Sequence, residues 1–398
     1  MSKSSSVEGS ETSMKPIHFR DRVSNLAKAL SGAGIDAYVG TRLASLHYLA
    51  GAFIPWRGAV VVTASGEAEL IYWALDSERV RQESWGIRVR EWGGNQPGLV
   101  DCIVSFLQER GFSAGRIGLD LFIAGAGREA PGLLFAHEFV DLQKKMPQAD
   151  LVNGTEWIDH LMMIKEPEEV ERLALAAEVA KFGLEAGIAV ARPGITENMI
   201  AGTIENAIRA KGSIWSWSVT GGTEVGSGFR SAFKGNVTQQ ATNKVVGQDE
   251  FIILDVHPMI DLYLADYAMP VFLGSPGREQ QELIDCWEEI VEFLFFSLKP
   301  GGKVAEICKE ALEIYSKYGL QDFGLPTFGH GLGTCARLRP FLHIKSEDVL
   351  APGMVFALGT HLYKPGIGGL RLEHPVVVTE AGVRSLTSTL PRVQRLKI

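Results

Sequence analysis

The sequence predicts an α/β N-terminal domain followed by an α+β domain of long helices on a curved, largely antiparallel sheet. Three observations carry this. Residues 19–151 alternate short helix-like and strand-like stretches. A new helix start, Ile164-Lys165-Glu166-Pro167-Glu168-Glu169, stands just beyond them. After it, long amphipathic stretches are interleaved with apolar runs that end in acids and histidines.

In the first domain Val23, Leu26, Ala27 and Leu30 recur at helical spacing over Arg20–Ala33, and Gly34 stops the helix. Short strands follow at Ala37–Val39, Ala59–Thr63 and Glu69–Tyr72. Leu99–Arg110 has Val100, Ile103, Val104 and Leu107 on one side, and Ile117–Leu119 is a further strand. No GxGxxG stands at a strand-to-helix turn, so nothing points to dinucleotide binding.

In the second domain Pro167 in the first turn and the neighbouring acids suit a helix running to about Val190. Pro193-Gly194 breaks it, and Thr196 can cap the next helix, Glu197–Lys211. Glu279–Leu298 carries Leu283, Ile284, Trp287, Ile290, Val291, Leu294, Phe295 and Leu298 on one stripe. Strands are expected at Phe251–Val256, Tyr267–Phe272, Met354–Leu358 and Leu370–Val378. The expected boundaries are a polar, disordered tail over 1–16, an N-terminal domain over 17–155 and a C-terminal domain over 163–398.

Composition narrows the function. The 398 residues, 46% hydrophobic and 22% charged, suit a soluble globular chain with a core in each domain. A net charge of −8 without a basic block argues against nucleic acid. Cys102, Cys286, Cys308 and Cys335 form no CxxC pair, which fits a reducing compartment. The Ser-rich residues 1–16 lead into no apolar segment of signal-peptide type, and no apolar run could span a bilayer. The expectation is a cytoplasmic protein without a membrane or nucleic-acid partner.

The chemistry gathers in three segments. Asp255 ends the apolar run Phe251-Ile252-Ile253-Leu254, with His257 two residues on, and Asp266 opens the next apolar strand. His330 stands between glycines in Phe328-Gly329-His330-Gly331-Leu332-Gly333. His361 precedes Gly369-Leu370-Arg371-Leu372-Glu373-His374. A single buried Asp is more often a cap or an ion-pair partner, and a lone His in a Gly-rich turn is usually structural. Three buried carboxylates, Asp255, Asp266 and Glu373, would repel one another without a cation or a shared proton. Divalent ions resolve that and lower the pKa of a bound water.

These segments resemble the pita-bread family of prolidase, aminopeptidase P, methionine aminopeptidase and creatinase, over about residues 17–390. The landmarks are Ile164-Lys165-x-Pro167-Glu168-Glu169, Arg192-Pro193-Gly194-x-Thr196-Glu197, Gly329-His330-Gly331-x-Gly333, Pro352-Gly353-Met354-Val355-Phe356 and Gly368-Gly369-x-Arg371-x-Glu373. The resemblance implies a creatinase-like N-terminal domain, a pita-bread catalytic domain and a homodimer. In metal-dependent members the ligands are Asp, Asp, His, Glu and Glu. Carried over, the metal ligands are Asp255, Asp266, His330 and Glu373, holding one or two divalent ions that could be Mn, Zn, Co or Fe. Glu373 would handle the proton.

The chain departs from the pattern at three places. The family's other Glu is Gly359 here, and His361, two residues on and on the same strand face, could supply a nitrogen instead. No His occurs in Gly221–Arg230, where peptidases of the family carry one. Arg337 replaces the His that follows the His-Gly-x-Gly motif. Arginine is no general acid or base near neutrality, but it binds carboxylates and oxyanions. Arg337, Arg339 and Arg230 could thus favour an anionic substrate, or pair with nearby acids. Trp215 and Trp217, at i and i+2, could wall an apolar pocket or pack in the core. Glu224 reads as a solvated loop acid, and Cys335 as a small buried residue.

The leading expectation is a metal-dependent hydrolase of C–N bonds in a small molecule or short peptide, similar to Xaa-Pro peptidases, with Glu373, His330 and Arg337 as catalytic residues. A second is a creatinase-like amidohydrolase or a lyase acting on a small anionic metabolite. Asn243-Lys244-Val245-Val246 and Pro258-Met259-Ile260 are similar to creatinase. A third is a non-catalytic binding protein on the same scaffold.

Overall fold

The computed structural model describes residues 14–122, 132–214, 223–233, 239–387 and 391–397. The tail expected over 1–16 lies outside them up to residue 13, as do Trp215 and Trp217.

The first part runs α1 (Phe19–Gly32), β1 (Ala37–Gly40), α2 (Leu43–Ala50), β2 (Ala59–Thr63), β3 (Ala68–Trp73), α3 (Ser77–Glu83), β4 (Arg88–Trp92), α4 (Leu99–Glu109), β5 (Arg116–Leu119), α5 (Ala136–Lys145), β6 (Asp150–Asn153) and α6 (Thr155–Met163). Its sheet has the order β4-β3-β2-β1-β5-β6. β1 pairs antiparallel to β2 but parallel to β5, so it is a mixed sheet. Apolar clusters on Leu26, Leu30, Val60 and Val62, and on Val39, Val61, Ile103 and Phe106, fill its two sides. The alternation along β2 sends successive valines to opposite clusters.

The second part begins with α7 (Pro167–Val190) and α8 (Glu197–Ala210). Glu166 and Glu169 form a capping box on α7, and Thr196 accepts a hydrogen bond from Met199 N at 3.2 Å to cap α8. Then come β7 (Glu224–Ser227), β8 (Glu250–Val256), β9 (Met259–Ile260), β10 (Tyr263–Leu264), β11 (Tyr267–Leu273), α9 (Arg278–Ser297) and α10 (Val304–Lys317). The chain ends on β12 (Thr327–Leu332), β13 (Ala336–His343), β14 (Val355–Lys364), β15 (Gly368–Thr379), β16 (Gly382–Ser385) and β17 (Gln394–Leu396). The sheet path is β13-β12-β14-β15-β11-β8-β7, antiparallel throughout, with β16 on β15 and β17 parallel to β11. Helices α7 and α8 share one apolar cluster with β8 and β11, while α9 and α10 share another with β14 and β15. This is the pita-bread arrangement that the sequence leads one to expect.

One strand is longer than its apolar run suggests: the strand expected over Met354–Leu358 continues as β14 to Lys364, because β15 pairs with it over its whole length. A buried tie joins the two parts. Arg22 of α1 lies 3.1 Å from Glu166, 3.3 Å from Glu169 and 3.1 Å from the Tyr263 hydroxyl.

Candidate metal centre

Register builds the site. Glu224 pairs with Asp255, Asp255 with Ala268, Ala268 with Glu373, and Glu373 with Gly359. Paired residues put their side chains on the same face, so one row across β7, β8, β11, β15 and β14 carries three acids. The small Ala268 leaves room between Asp255 and Glu373. Asp266 stands one residue before β11, and His257 one residue after β8, at the end of that hairpin. His361 and Arg371 form the adjacent pair on β14 and β15.

His330 enters from β12. A Cβ at Gly329 would meet Ala357 O at 2.0 Å, and one at Gly331 would meet Arg339 O at 2.1 Å. The flanking glycines thus let β13 and β14 close on the strand that carries the histidine. His330 Nε2 lies 3.3 Å from Asp266 Oδ2 and 3.7 Å from Glu373 Oε2. Its Nδ1 is 3.2 Å from Arg337 N and 3.4 Å from Gly331 O. In one tautomer Nδ1 accepts from the Arg337 N–H; in the other it carries the proton toward Gly331 O, and Nε2 then keeps a lone pair for an ion.

The sequence reading of these residues missed three participants. His257 Nε2 is 3.2 Å from Asp266 Oδ1 and 3.7 Å from Asp255 Oδ1. Arg371 reaches Glu224 at 2.7 Å, Asp255 at 3.0 Å and Glu373 at 3.5 Å. Glu224 is not a solvated loop acid: it is fully buried on β7 and pairs with Arg371. The glycines around it read as loop, and its partner lies 147 residues away, so only its place beside a strand pattern could have flagged it.

Other candidates are placed away from the cluster or a step back from it. His361 does not join either group of mutually close donors: its Nε2 contacts Glu373 Oε1 at 3.2 Å, and its ring fills the space beside Gly359. Arg230 is engaged with Glu197 at 3.0 Å and with Gln240 O. Arg339 pairs with Asp348. Arg337 makes no ion pair among the described residues and has φ +63°, a conformation that disfavours a non-glycine residue. Cys335 is buried, and burial pushes its thiol up to about 11, which fits a packing residue.

Electrostatics separate the two aspartates. Burial pushes Asp255 up to about 7, although Arg371 and His257 oppose the shift. Burial acts on Asp266 in the same sense, but His257 and His330 outweigh it and hold its carboxyl well below the usual range. Burial disfavours a charged His257, yet Asp266 and Asp255 push it up to about 10. Glu373 is held low despite burial and the Asp266 charge, through His361, His330 and Arg371. Four buried carboxylates against the Arg371 guanidinium and a protonated His257 leave negative charge uncompensated.

The donor set fits divalent ions. Asp255, His257 and Asp266 form one group of three donors, and Asp266, His330 and Glu373 another, each within 4.8 Å. Asp255 Oδ1 and Glu373 Oε2 are buried and make no hydrogen bond. Buried orphans of this kind are costly unless something else binds them.

Comparison with known proteins agrees. Residues 171–380 match the family described as metallopeptidase family M24, and residues 22–164 match the creatinase/prolidase N-terminal domain. The chain is 29% identical over 262 residues to the Xaa-Pro dipeptidase of Lactobacillus helveticus, covering 66% of this chain and 70% of the relative. It is 25% identical to the Xaa-Pro dipeptidase of Pyrococcus furiosus, over 93% of this chain and 98% of the relative. The structure of an Xaa-Pro dipeptidase from Bacillus anthracis superposes with a TM-score of 0.82 at 23% identity, covering 95% of this chain and all of that one.

Proposed function

Because the chain belongs to metallopeptidase family M24, a family of metal-dependent hydrolases, we propose that it cleaves the Xaa-Pro bond of short peptides. The observation that carries this reading is the pair of buried donor groups that share Asp266. The relatives named Xaa-Pro dipeptidase support the specificity, since one aligns along nearly the whole of both chains.

The residue roles follow from the chemistry of the site. Asp255, Asp266, His330 and Glu373 would hold one or two divalent ions, which polarise a peptide carbonyl and lower the pKa of water when bound. Glu373 is the proton carrier. His361 and Arg371 fix its Oε1, and its Oε2 has no hydrogen bond to satisfy it. The Arg337 guanidinium, without an ion pair among the described residues, offers a site for a substrate carboxylate or a developing oxyanion.

We further propose two domains over 17–155 and 163–398 and a cytoplasmic homodimer. The four cysteines, all free and buried, support a reducing compartment. No helix among the described residues is long and apolar enough to cross a membrane. Gly359 in place of a carboxylate, together with Arg337, favours a second reading, a small anionic amide as substrate.

The test strips the protein with chelator, reloads it with Mn or Zn, and offers Xaa-Pro dipeptides beside small carboxylated amides. Metal-dependent release of proline is expected. Turnover of an amide with no dipeptide cleavage would replace the first reading by the second.

A further inference from the structure

We infer that His257 is a metal ligand in this chain, so that the centre consists of two like triads, each one imidazole and two carboxylates, joined by Asp266. This rests on the metal-dependent reading above and deepens it. The geometry comes first. The Asp266 carboxylate turns Oδ1 toward His257 Nε2, at 3.2 Å, and Oδ2 toward His330 Nε2, at 3.3 Å. Asp255 Oδ1 lies 3.7 Å from His257, and Glu373 Oε2 lies 3.7 Å from His330. With metal–ligand bonds of about 2.1 Å, neighbouring donors on a tetrahedron or octahedron stand roughly 3.0–3.4 Å apart. Both triads therefore sit close to the edge lengths of a coordination polyhedron. Each also ends in a buried oxygen that makes no hydrogen bond, Asp255 Oδ1 in one and Glu373 Oε2 in the other.

Donor supply is the second argument. On the register row through the site, Gly359 faces Glu373 and brings no side chain. A Cβ there would meet Leu372 O at 2.8 Å and the His361 ring at 3.2 Å, so the position has no room for a carboxylate while His361 stays where it is. His361 bonds to Glu373 rather than entering a triad. His257, 93% buried at the opposite end of the cluster, is the nitrogen that gives the Asp255 side its third donor. The competing role is an imidazolium that neutralises Asp255 and Asp266 in place of an ion.

The two roles predict different metal contents. Full-length protein, stripped with chelator and equilibrated with excess Zn or Co, is analysed for metal per chain after gel filtration. Two ions in the wild type and one in His257→Gln are expected, with circular dichroism showing that the variant is folded. Two ions in both, or one ion in the wild type, would overturn the inference and leave the metallopeptidase reading standing. No ion in the wild type would overturn both. X-ray absorption at the zinc edge of the unmutated protein needs no variant. One imidazole per ion is expected, and one imidazole for every two ions would overturn the role of His257.

Discussion

Two buried charge clusters sit on the two sheets of this protein, and they are built on opposite terms. In the N-terminal sheet Asp120 accepts from the Tyr38 hydroxyl at 2.7 Å, Thr41 N at 2.9 Å, Arg42 N at 3.0 Å and Ser45 Oγ at 3.1 Å. Arg42 bridges Asp120 at 3.2 Å and Asp159 at 2.7 Å. Both Asp120 oxygens are satisfied, and two acids share one guanidinium. In the C-terminal sheet Glu224, Asp255, Asp266 and Glu373 also have one guanidinium, Arg371, and several of their oxygens stay orphaned. Burial does not separate a structural cluster from a functional one. The unsatisfied carboxylate oxygens do.

The largest effect should come from Glu373→Gln. The amide keeps the shape and the His361 contact but removes an anionic donor from one triad. Loss of an ion and a fall in kcat/KM on the order of 10³-fold or more are expected, measured by metal analysis and peptide hydrolysis. The metal-free variant should unfold within about 1 kcal/mol of the wild type or later, because it has one buried like charge fewer. Strong destabilisation of the stripped variant would mean that the C-terminal cluster is structural after all.

Asp120→Ala probes the other cluster. It leaves Arg42 and four donors without their acceptor, so a stability loss of about 3–5 kcal/mol is expected in urea unfolding. Metal content should not change. If both variants lost metal and stability together, the contrast between the clusters would collapse.

How much of this was legible in the sequence follows the same contrast. Asp255, Asp266, His330 and Glu373 stand out because an acid at the end of an apolar strand, or a histidine between glycines, is a local anomaly. The elements were legible for the same reason: α1, α4, α7 and α9 lie within a residue or two of their periodic stripes. The roles of Glu224 and of the Asp120 cluster were not, because their partners lie 75 to 147 residues away and no local pattern marks them; Arg371 stood in a recognisable motif, but its pairing with Glu224 was equally hidden. Arg230 and Arg339 could be weighed only as cations of unknown partner. Register and packing gave them Glu197 and Asp348.

An acid titration sharpens the comparison in the N-terminal domain. Burial lowers His47 to about 4, against a small opposing contribution from Thr334 O at 3.3 Å. Its pKa is depressed on folding, so the unfolded chain takes up the proton first, near pH 6.5. Stability is complete above that pH and falls as pH drops toward 4, by about 3 kcal/mol from this residue. Urea midpoints at pH 7 and pH 4.5 should differ less in His47→Gln than in the wild type. An unchanged difference would assign the acid sensitivity to other groups. His361→Ala belongs next in size. It removes the imidazole from Glu373 Oε1 and should weaken metal binding about 10–100-fold without removing an ion. Loss of a whole ion would make His361 a ligand.

The smallest effect is the most specific. Gly359→Ala adds a single methyl group, which meets Leu372 O at 2.8 Å and the His361 ring at 3.2 Å. The carbonyl belongs to a paired strand and cannot retreat, so the ring must move away from Glu373. A stability cost of about 1–3 kcal/mol follows from overpacking, with a few-fold loss of metal affinity through the displaced imidazole. Gly202→Ala is the matched control. Gly202 lies within α8, and nothing stands within 4 Å of its added Cβ. There the alanine should stabilise by roughly 0.5–1 kcal/mol, since the helix no longer bears the entropy of a glycine. Opposite signs from the same one-carbon change would show that Gly359 is kept empty for the His361 ring. Equal, small effects would mean that the cluster has slack, and that the orphaned oxygens around it owe nothing to tight packing.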